Sequence, residues 1–275
     1  LESFSSLLGD KITFAKGYNP KKDVVEQDLV QEAVSIAKEQ DVVVLMIGLT
    51  DSFESEGFDR THLNIPNNHL VLVEEIAKVN PNIVVCLSNG SPIIMPWKDN
   101  VKAILEQYLG GQASGEALVD VLYGKVNPNG KLAETFPNSI DEFPSNKNFP
   151  GLPRQVEYRE GLYVGYRYYD SVDKNPLFPF GYGLSYTTFE YSDLSVQVKK
   201  DIIIKFRIEN TGNYDGKEIA QVYISKPDSV VYRPAHELKG YKKVNIKAGE
   251  SKIVNINISK EDLKVYQDDF LLEDG

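Results

Sequence analysis

Asp41-Val-Val-Val-Leu-Met-Ile-Gly-Leu49 is followed a few residues later by Glu54-Ser-Glu-Gly-Phe-Asp-Arg60. The first stretch is a continuous apolar run that starts at an acidic residue and ends in a polar loop. Such a run predicts a strand over 42–49, buried on both faces of a parallel sheet. Ligand sites in open α/β sheets lie beyond the carboxyl ends of their strands. At that end this chain places three carboxylates, a glycine and an arginine within seven residues. A carboxylate there can serve as a general acid or base. The competing reading is a solvated acidic loop, a common surface feature.

Working outward, the first half alternates strands and helices. Residues 11–16 read as a strand. Residues 28–39 carry apolar side chains at 29, 30, 33, 34, 36 and 37, a helical stripe. A second helix is predicted over 67–79, with Pro66 ahead of it and Asn68 as a cap. Strands follow over 82–87 and 103–107, then a helix over 114–123 closed by Gly124, then a short strand over 131–136. Repeated strand–helix units predict a largely parallel sheet covered on both faces. From 137 to about 185 Pro and Gly are frequent, aromatics are dense and helical periodicity is lost. That tyrosine content argues against a floppy linker, because disordered segments are aromatic-poor. From 186 onward only strands are predicted, over 194–198, 202–208, 219–224, 237–246 and 253–258. Turn signals at 210–213 and 247–250 separate them, as in a β-sandwich. The expected organisation is an α/β sandwich domain at 1–136, an aromatic-rich interface segment at 137–185 and a β-sandwich at 186–275.

Composition narrows the partners. The 275 residues suggest two domains. A hydrophobic fraction of 41% and a charged fraction of 25% fit an ordinary globular protein. The net charge of −10 makes nucleic acid an unfavourable partner. No apolar stretch approaches the length that spans a bilayer, so no membrane partner is expected. The single Cys86 lies in an apolar run and reads as core filler. His62, His69 and His236 have no metal-ligand spacing, and no calcium-loop pattern occurs. No metal and no cofactor is therefore expected. Leu1 and Glu273-Asp-Gly275 both read as cut ends, and no leader can be judged from such a start.

Four segments, in order, resemble the carboxyl-terminal half of a family 3 glycoside hydrolase of the bacterial β-glucosidase type. They are Ile47 to Arg60, Tyr108-Leu-Gly-Gly-Gln-Ala-Ser-Gly-Glu116 with Asp120 to Leu132, Gly161-Leu-Tyr-Val-Gly-Tyr-Arg-Tyr-Tyr169, and Phe178-Pro-Phe-Gly-Tyr-Gly-Leu-Ser-Tyr-Thr-Thr-Phe189. The resemblance implies an α/β sandwich domain followed by a fibronectin type III-like domain. It also implies retaining hydrolysis of β-linked glucose from oligosaccharides or glucosides, with a carbohydrate as substrate. In similar enzymes the nucleophile is an aspartate on a (β/α)8 barrel, and the acid/base is a glutamate on a loop of the second domain. The motif carries the acid/base role onto Glu56, with Glu54 as its rival. These residues contain no eight strand–helix repeats, so the barrel is the expected missing partner and the chain alone is expected to be inactive. The first strand of the α/β domain is likewise expected to lie before Leu1. The alternative, from another class, is a non-catalytic carbohydrate-binding or scaffold module with the same fold.

The neighbours of Glu56 have roles too. Gly57 lets backbone approach a sugar without a Cβ in the way. Asp59 and Arg60 are read as shaping the loop, by pairing with each other or with Glu56. An arginine beside an acid lowers its pKa, which a general acid does not want, so Arg60 is read as structural. Phe58 is a candidate apolar wall for the sugar. Gly110-Gly111 and Gly115-Glu116 form a tight turn into a helix rather than a phosphate loop, since no Lys-Ser or Lys-Thr follows. Ser88-Asn89-Gly90-Ser91 reads as a turn, lacking the Gly-x-Ser-x-Gly pattern. Tyr158, Tyr163, Tyr166, Tyr168, Tyr169, Tyr182 and Tyr186 are read as sealing an interface ahead of stacking on sugar.

Overall fold

The structure, a computed structural model, describes residues 1–152 and 154–273. Position 153 of the aromatic segment and positions 274–275 of the β segment lie outside the described residues. The chain divides into two units, Leu1–Tyr123 with Phe136–Phe143, and Gly124–Thr135 with Pro144–Gly275.

The first unit is built on three parallel strands, β1 (Val43–Gly48), β2 (Ile83–Ser88) and β3 (Ala103–Glu106), in the order β1-β2-β3. Val43 is level with Ile83 and Gly48 with Ser88, so the carboxyl ends of β1 and β2 finish together. The order puts β2 in the centre, where Ile83, Val85, Cys86 and Leu87 are fully buried. Burial pushes the Cys86 thiol up to about 12, so this thiol acts as a small apolar side chain. The two-sided burial expected of 42–49 belongs instead to β2. β1 is an edge strand: Leu45 and Ile47 face the core while Met46 is 43% exposed. Its free edge carbonyl at Met46 accepts the Tyr18 hydroxyl at 2.8 Å.

Helices α1 (Glu2–Leu8), α2 (Gln27–Lys38), α3 (Asn67–Ala77) and α4 (Ser114–Leu122) belong to this unit. The apolar stripe of α2 buries Val30, Ala33 and Ala37, as its 3.6 period requires. One expectation fails at α3. Asn68 is not its cap: Pro66 takes that position, and Asn68 is buried as the second residue of the helix. Its amide donates instead to the carbonyls of Asn19 and Lys22, at 3.0 and 2.9 Å. Residues 12–16 form no strand, because the chain leaves a 3-10 turn at Gly9–Lys11 and runs unpaired, with Phe14 61% exposed. Residues 131–136 are also not a strand; only Phe136 makes an isolated bridge.

The second unit is a β-sandwich. β4 (Phe189–Val198), β5 (Ile202–Asn210) and β8 (Ser251–Ile258) form one antiparallel sheet, and β6 (Gly216–Ile224) and β7 (Glu237–Ile246) another. Alternate residues Ile204, Phe206, Ile208, Val254, Ile256 and Ile258 meet Ala220 and Ile246 in one core. A small hairpin, β9 (Val265–Gln267) with β10 (Asp269–Leu271), follows. The aromatic segment contains a short helix, α5 (Tyr166–Ser171), that its sequence did not announce. Tyr166 stacks on Phe180 at 5.0 Å and meets Tyr223 edge-on at 5.6 Å. Its hydroxyl accepts the Leu238 N–H at 2.8 Å at the start of β7.

Candidate functional site

The carboxyl ends of β1, β2 and β3 bring three loops to one edge of the sheet. β1 ends at Gly48, and a Cβ there would lie 1.9 Å from the Ser88 carbonyl oxygen of β2. Glycine is therefore required by close backbone approach, not by its dihedrals. Behind it, His69 of α3 is buried, and its Nδ1 accepts the Gly48 N–H at 3.4 Å. The Tyr18 ring lies 3.9 Å from the imidazole centroid to centroid. Burial pushes His69 down to about 4, so it is neutral near pH 7. That state leaves Nδ1 able to accept.

Beyond β1 the chain turns back at once, with the N–H groups of Phe53 and Glu54 both donating to the Thr50 carbonyl, at 2.7 and 3.0 Å. Glu54 is half-buried and fully engaged. Its Oε2 accepts the Gly90 N–H at 2.7 Å and its Oε1 accepts the Ser91 hydroxyl. Ser55 and Phe58 then pair across an antiparallel bridge. Glu56 and Gly57 are the two central residues of that turn, and the Gly57 N–H donates to the Ser55 hydroxyl at 3.3 Å. Glu56 is exposed at the tip and makes no hydrogen bond or ion pair among the described residues. A Cβ on Gly57 would meet only the Ser55 hydroxyl, at 3.9 Å, so nothing among the described residues forbids a side chain there. Phe58 is 47% exposed.

Arg60 does not close the loop in the way its sequence neighbours suggest. Asp59, like Glu56, has no partner among the described residues. The Arg60 guanidinium reaches across instead, donating from Nη1 to the Ser91 hydroxyl at 2.7 Å and to the Pro92 carbonyl at 3.1 Å. That one nitrogen carries two N–H groups, enough to serve both acceptors. Residues 88–91 read from sequence as a plain turn, yet Gly90 and Ser91, with Pro92 after them, hold both ends of the acidic loop. The signal was their place after a neighbouring parallel strand, because the ends of adjacent strands must share one edge. Asn89 is fully buried beside them, donating to the Ser91 carbonyl at 3.0 Å and to Glu106 Oε2 of β3 at 3.1 Å. Glu106 Oε1 in turn accepts the Tyr108 N–H at 2.7 Å.

The other sequence candidates sort by geometry. Gly110 packs into the start of α4, where a Cβ would fall 2.4 Å from that of Ser114, as a tight turn demands. The tyrosines of 158–186 divide: Tyr169 is 1% exposed, Tyr158 is 80% exposed and Tyr166 is built into the second unit. A groove of about 630 Å³ in that unit includes Tyr166, Tyr182 and Tyr223 in its wall. Its polar groups already pair with one another, Tyr223 with Gln221 at 2.6 Å and His236 with Asp170 at 3.4 Å. Among the described residues no three His, Cys, Asp or Glu side chains are grouped to hold a metal ion. No helix among them is long and apolar enough to cross a membrane.

Comparison with known proteins places this arrangement among others. Residues 11–186 match the glycosyl hydrolase family 3 C-terminal domain, and residues 218–275 match a fibronectin type III-like domain. The chain is 52% identical over 266 residues to a thermostable beta-glucosidase B of Acetivibrio thermocellus, covering 94% of this chain and 35% of that protein. It is 45% identical over 255 residues to an exo-alpha-(1->6)-L-arabinopyranosidase of Bifidobacterium breve, covering 92% of this chain and 34% of that protein. The crystal structure of the Bifidobacterium adolescentis GH3 beta-glucosidase superposes with a TM-score of 0.96 at 42% identity, over 100% of this chain and 41% of that one. The chain thus spans about a third of the length of the curated relatives it matches.

Proposed function

The chain belongs to glycosyl hydrolase family 3, and from that premise we propose that it supplies the acid/base carboxyl of a retaining β-glucosidase, with Glu56 as that group. One observation carries the choice: Glu56 stands free and exposed at the tip of the 55–58 turn, while both oxygens of its rival Glu54 are occupied by Gly90 and Ser91. A general acid must reach a glycosidic oxygen, and a carboxylate held against the protein's own backbone cannot.

In this reading the second carboxyl, the nucleophile, lies on a barrel outside these residues. Retaining hydrolysis needs it about 5–5.5 Å from the acid/base, on the other side of the scissile bond. Glu56 protonates the departing oxygen as the nucleophile attacks the anomeric carbon. It then removes a proton from the water that releases the sugar. Gly57 and Phe58 flank the incoming substrate, one leaving room and the other offering an apolar face. Arg60, directed toward Ser91 and Pro92, serves the loop and not the proton transfer. The substrate proposed is a terminal β-linked glucoside, after the relative whose printed name says beta-glucosidase.

The test uses a protein of the relatives' length that contains this chain. Glu56→Ala lowers kcat/KM about 10²- to 10⁴-fold on glycosides with poor leaving groups. It changes the first step far less for a dinitrophenyl glycoside, whose phenolate leaves without a proton. Azide then restores turnover and yields the β-glycosyl azide, since a small anion attacks where the base is gone. Glu54→Ala shows no azide rescue. Rescue at Glu54→Ala and none at Glu56→Ala reverses the assignment; rescue at neither removes the acid/base from this loop.

A further inference from the structure

We infer that Ser91 is a positioning residue for the acid/base loop, its one hydroxyl gathering both feet of the arch that carries Glu56; this rests on the acid/base reading of Glu56. The Ser91 hydroxyl donates to Glu54 Oε1 and accepts from Arg60 Nη1 at 2.7 Å. A hydroxyl has one proton to give and lone pairs to receive, so it serves both neighbours at once. Glu54 and Arg60 are the two ends of the loop, and the residues between them include the bridged turn with Glu56 at its tip. Each foot has a second attachment on the same short segment, Glu54 on the Gly90 N–H at 2.7 Å and Arg60 on the Pro92 carbonyl at 3.1 Å.

The platform beneath is stiff. Residues 90–92 follow β2, the central strand, and Asn89 ties them through Glu106 to β3. The arch is therefore held at its feet, and the Ser91 hydroxyl bonds to both. The Glu56 side chain itself makes no hydrogen bond or ion pair among the described residues. Where the carboxyl stands is set by the feet, and a displacement of about 1 Å at a catalytic group can cost up to about 100-fold in rate.

The experiment compares Ser91→Ala, Ser91→Thr and Glu56→Ala in a protein of the relatives' length, using aryl β-glucosides that span good to poor leaving groups. Turnover is expressed per site titrated by a 2-deoxy-2-fluoroglucoside that traps the nucleophile, so unfolded protein drops out. Ser91→Ala is expected to lose about 10- to 100-fold on poor leaving groups and less than about threefold on dinitrophenyl glucoside. Ser91→Thr, which keeps the hydroxyl, restores the poor-leaving-group rate. If Ser91→Ala yields no titratable sites, Arg60→Met takes its place with the same expectation, because a thioether side chain donates no hydrogen bond to Ser91 or Pro92. Equal losses on both substrate classes, or none, overturn the positioning role while Glu56→Ala keeps its leaving-group signature. If Glu56→Ala itself lacks that signature, the acid/base reading fails first and Ser91 falls with it.

Discussion

Two glutamates two positions apart have opposite surroundings, one fixed by two hydrogen bonds and one open to solvent, and the same contrast governs what titration does to this chain. His69 is the clearest case. Burial holds it down to about 4 from an ordinary 6.5, and its neutral form accepts the Gly48 N–H. The folded state therefore binds fewer protons than the unfolded state between pH 4 and 6.5. Stability from this residue is complete above 6.5 and is lost as pH falls toward 4, a total of about 3 kcal/mol. Glu237, held below its usual range by Arg233 and Lys239 against the opposing effect of burial, loses its contribution only below about 4.5. Urea unfolding of wild type and His69→Gln across pH 4–7 separates the two. The variant, which has no proton to gain, is less stable at pH 7 and shows a flatter slope between 4.5 and 6.5. An unchanged slope would mean that His69 is not the group titrating there.

At the scale of elements, the parallel register of β1 and β2 fixes where the acidic loop begins. Gly48→Ala would force a Cβ to 1.9 Å from the Ser88 carbonyl, an atom with no freedom to move within the ladder. Strand separation would cost roughly 3 kcal/mol or more, and the root of the loop would shift with it. The expected outcome is a lowered thermal midpoint together with a loss of turnover on poor leaving groups. A fully stable variant would refute the close approach. Much of this architecture was legible in the chain. The stripe at 29, 30, 33, 34, 36 and 37 became α2, and the apolar runs became β1, β2 and β3, because burial in a layered fold demands those periods. Residues 11–16 alternate as a strand would, but no partner pairs with them, and alternation alone cannot supply one. Glu2–Leu8 and Tyr166–Ser171 are too short and too poorly capped for periodicity to reveal. The acidic loop was visible as a motif. Its attachment was not, since the tie from Ser91 to Glu54 and Arg60 spans more than thirty positions and exists only after β1 and β2 align.

At the scale of the whole molecule, the question is what 275 residues can do by themselves. They span 35% of the thermostable beta-glucosidase B relative and 41% of the superposed crystal chain. General acid catalysis contributes about 10²- to 10⁴-fold, whereas enzymes typically accelerate their reactions by about 10⁶- to 10¹⁷-fold. The remainder must come from covalent attack and from holding the sugar in line with it. Within this loop the only other glutamate is Glu54, and its oxygens are taken by Gly90 and Ser91. The purified chain is therefore expected to release no measurable nitrophenol from an aryl β-glucoside, and Glu56→Ala in that chain is expected to change nothing. The same substitution in a protein of the relatives' length is expected to lower turnover of poor substrates about 10²- to 10⁴-fold. The paired measurement is discriminating. Release of nitrophenol by the 275 residues alone, sensitive to Glu56→Ala, would mean that the chain contains its own nucleophile and that the division of labour proposed for it is wrong.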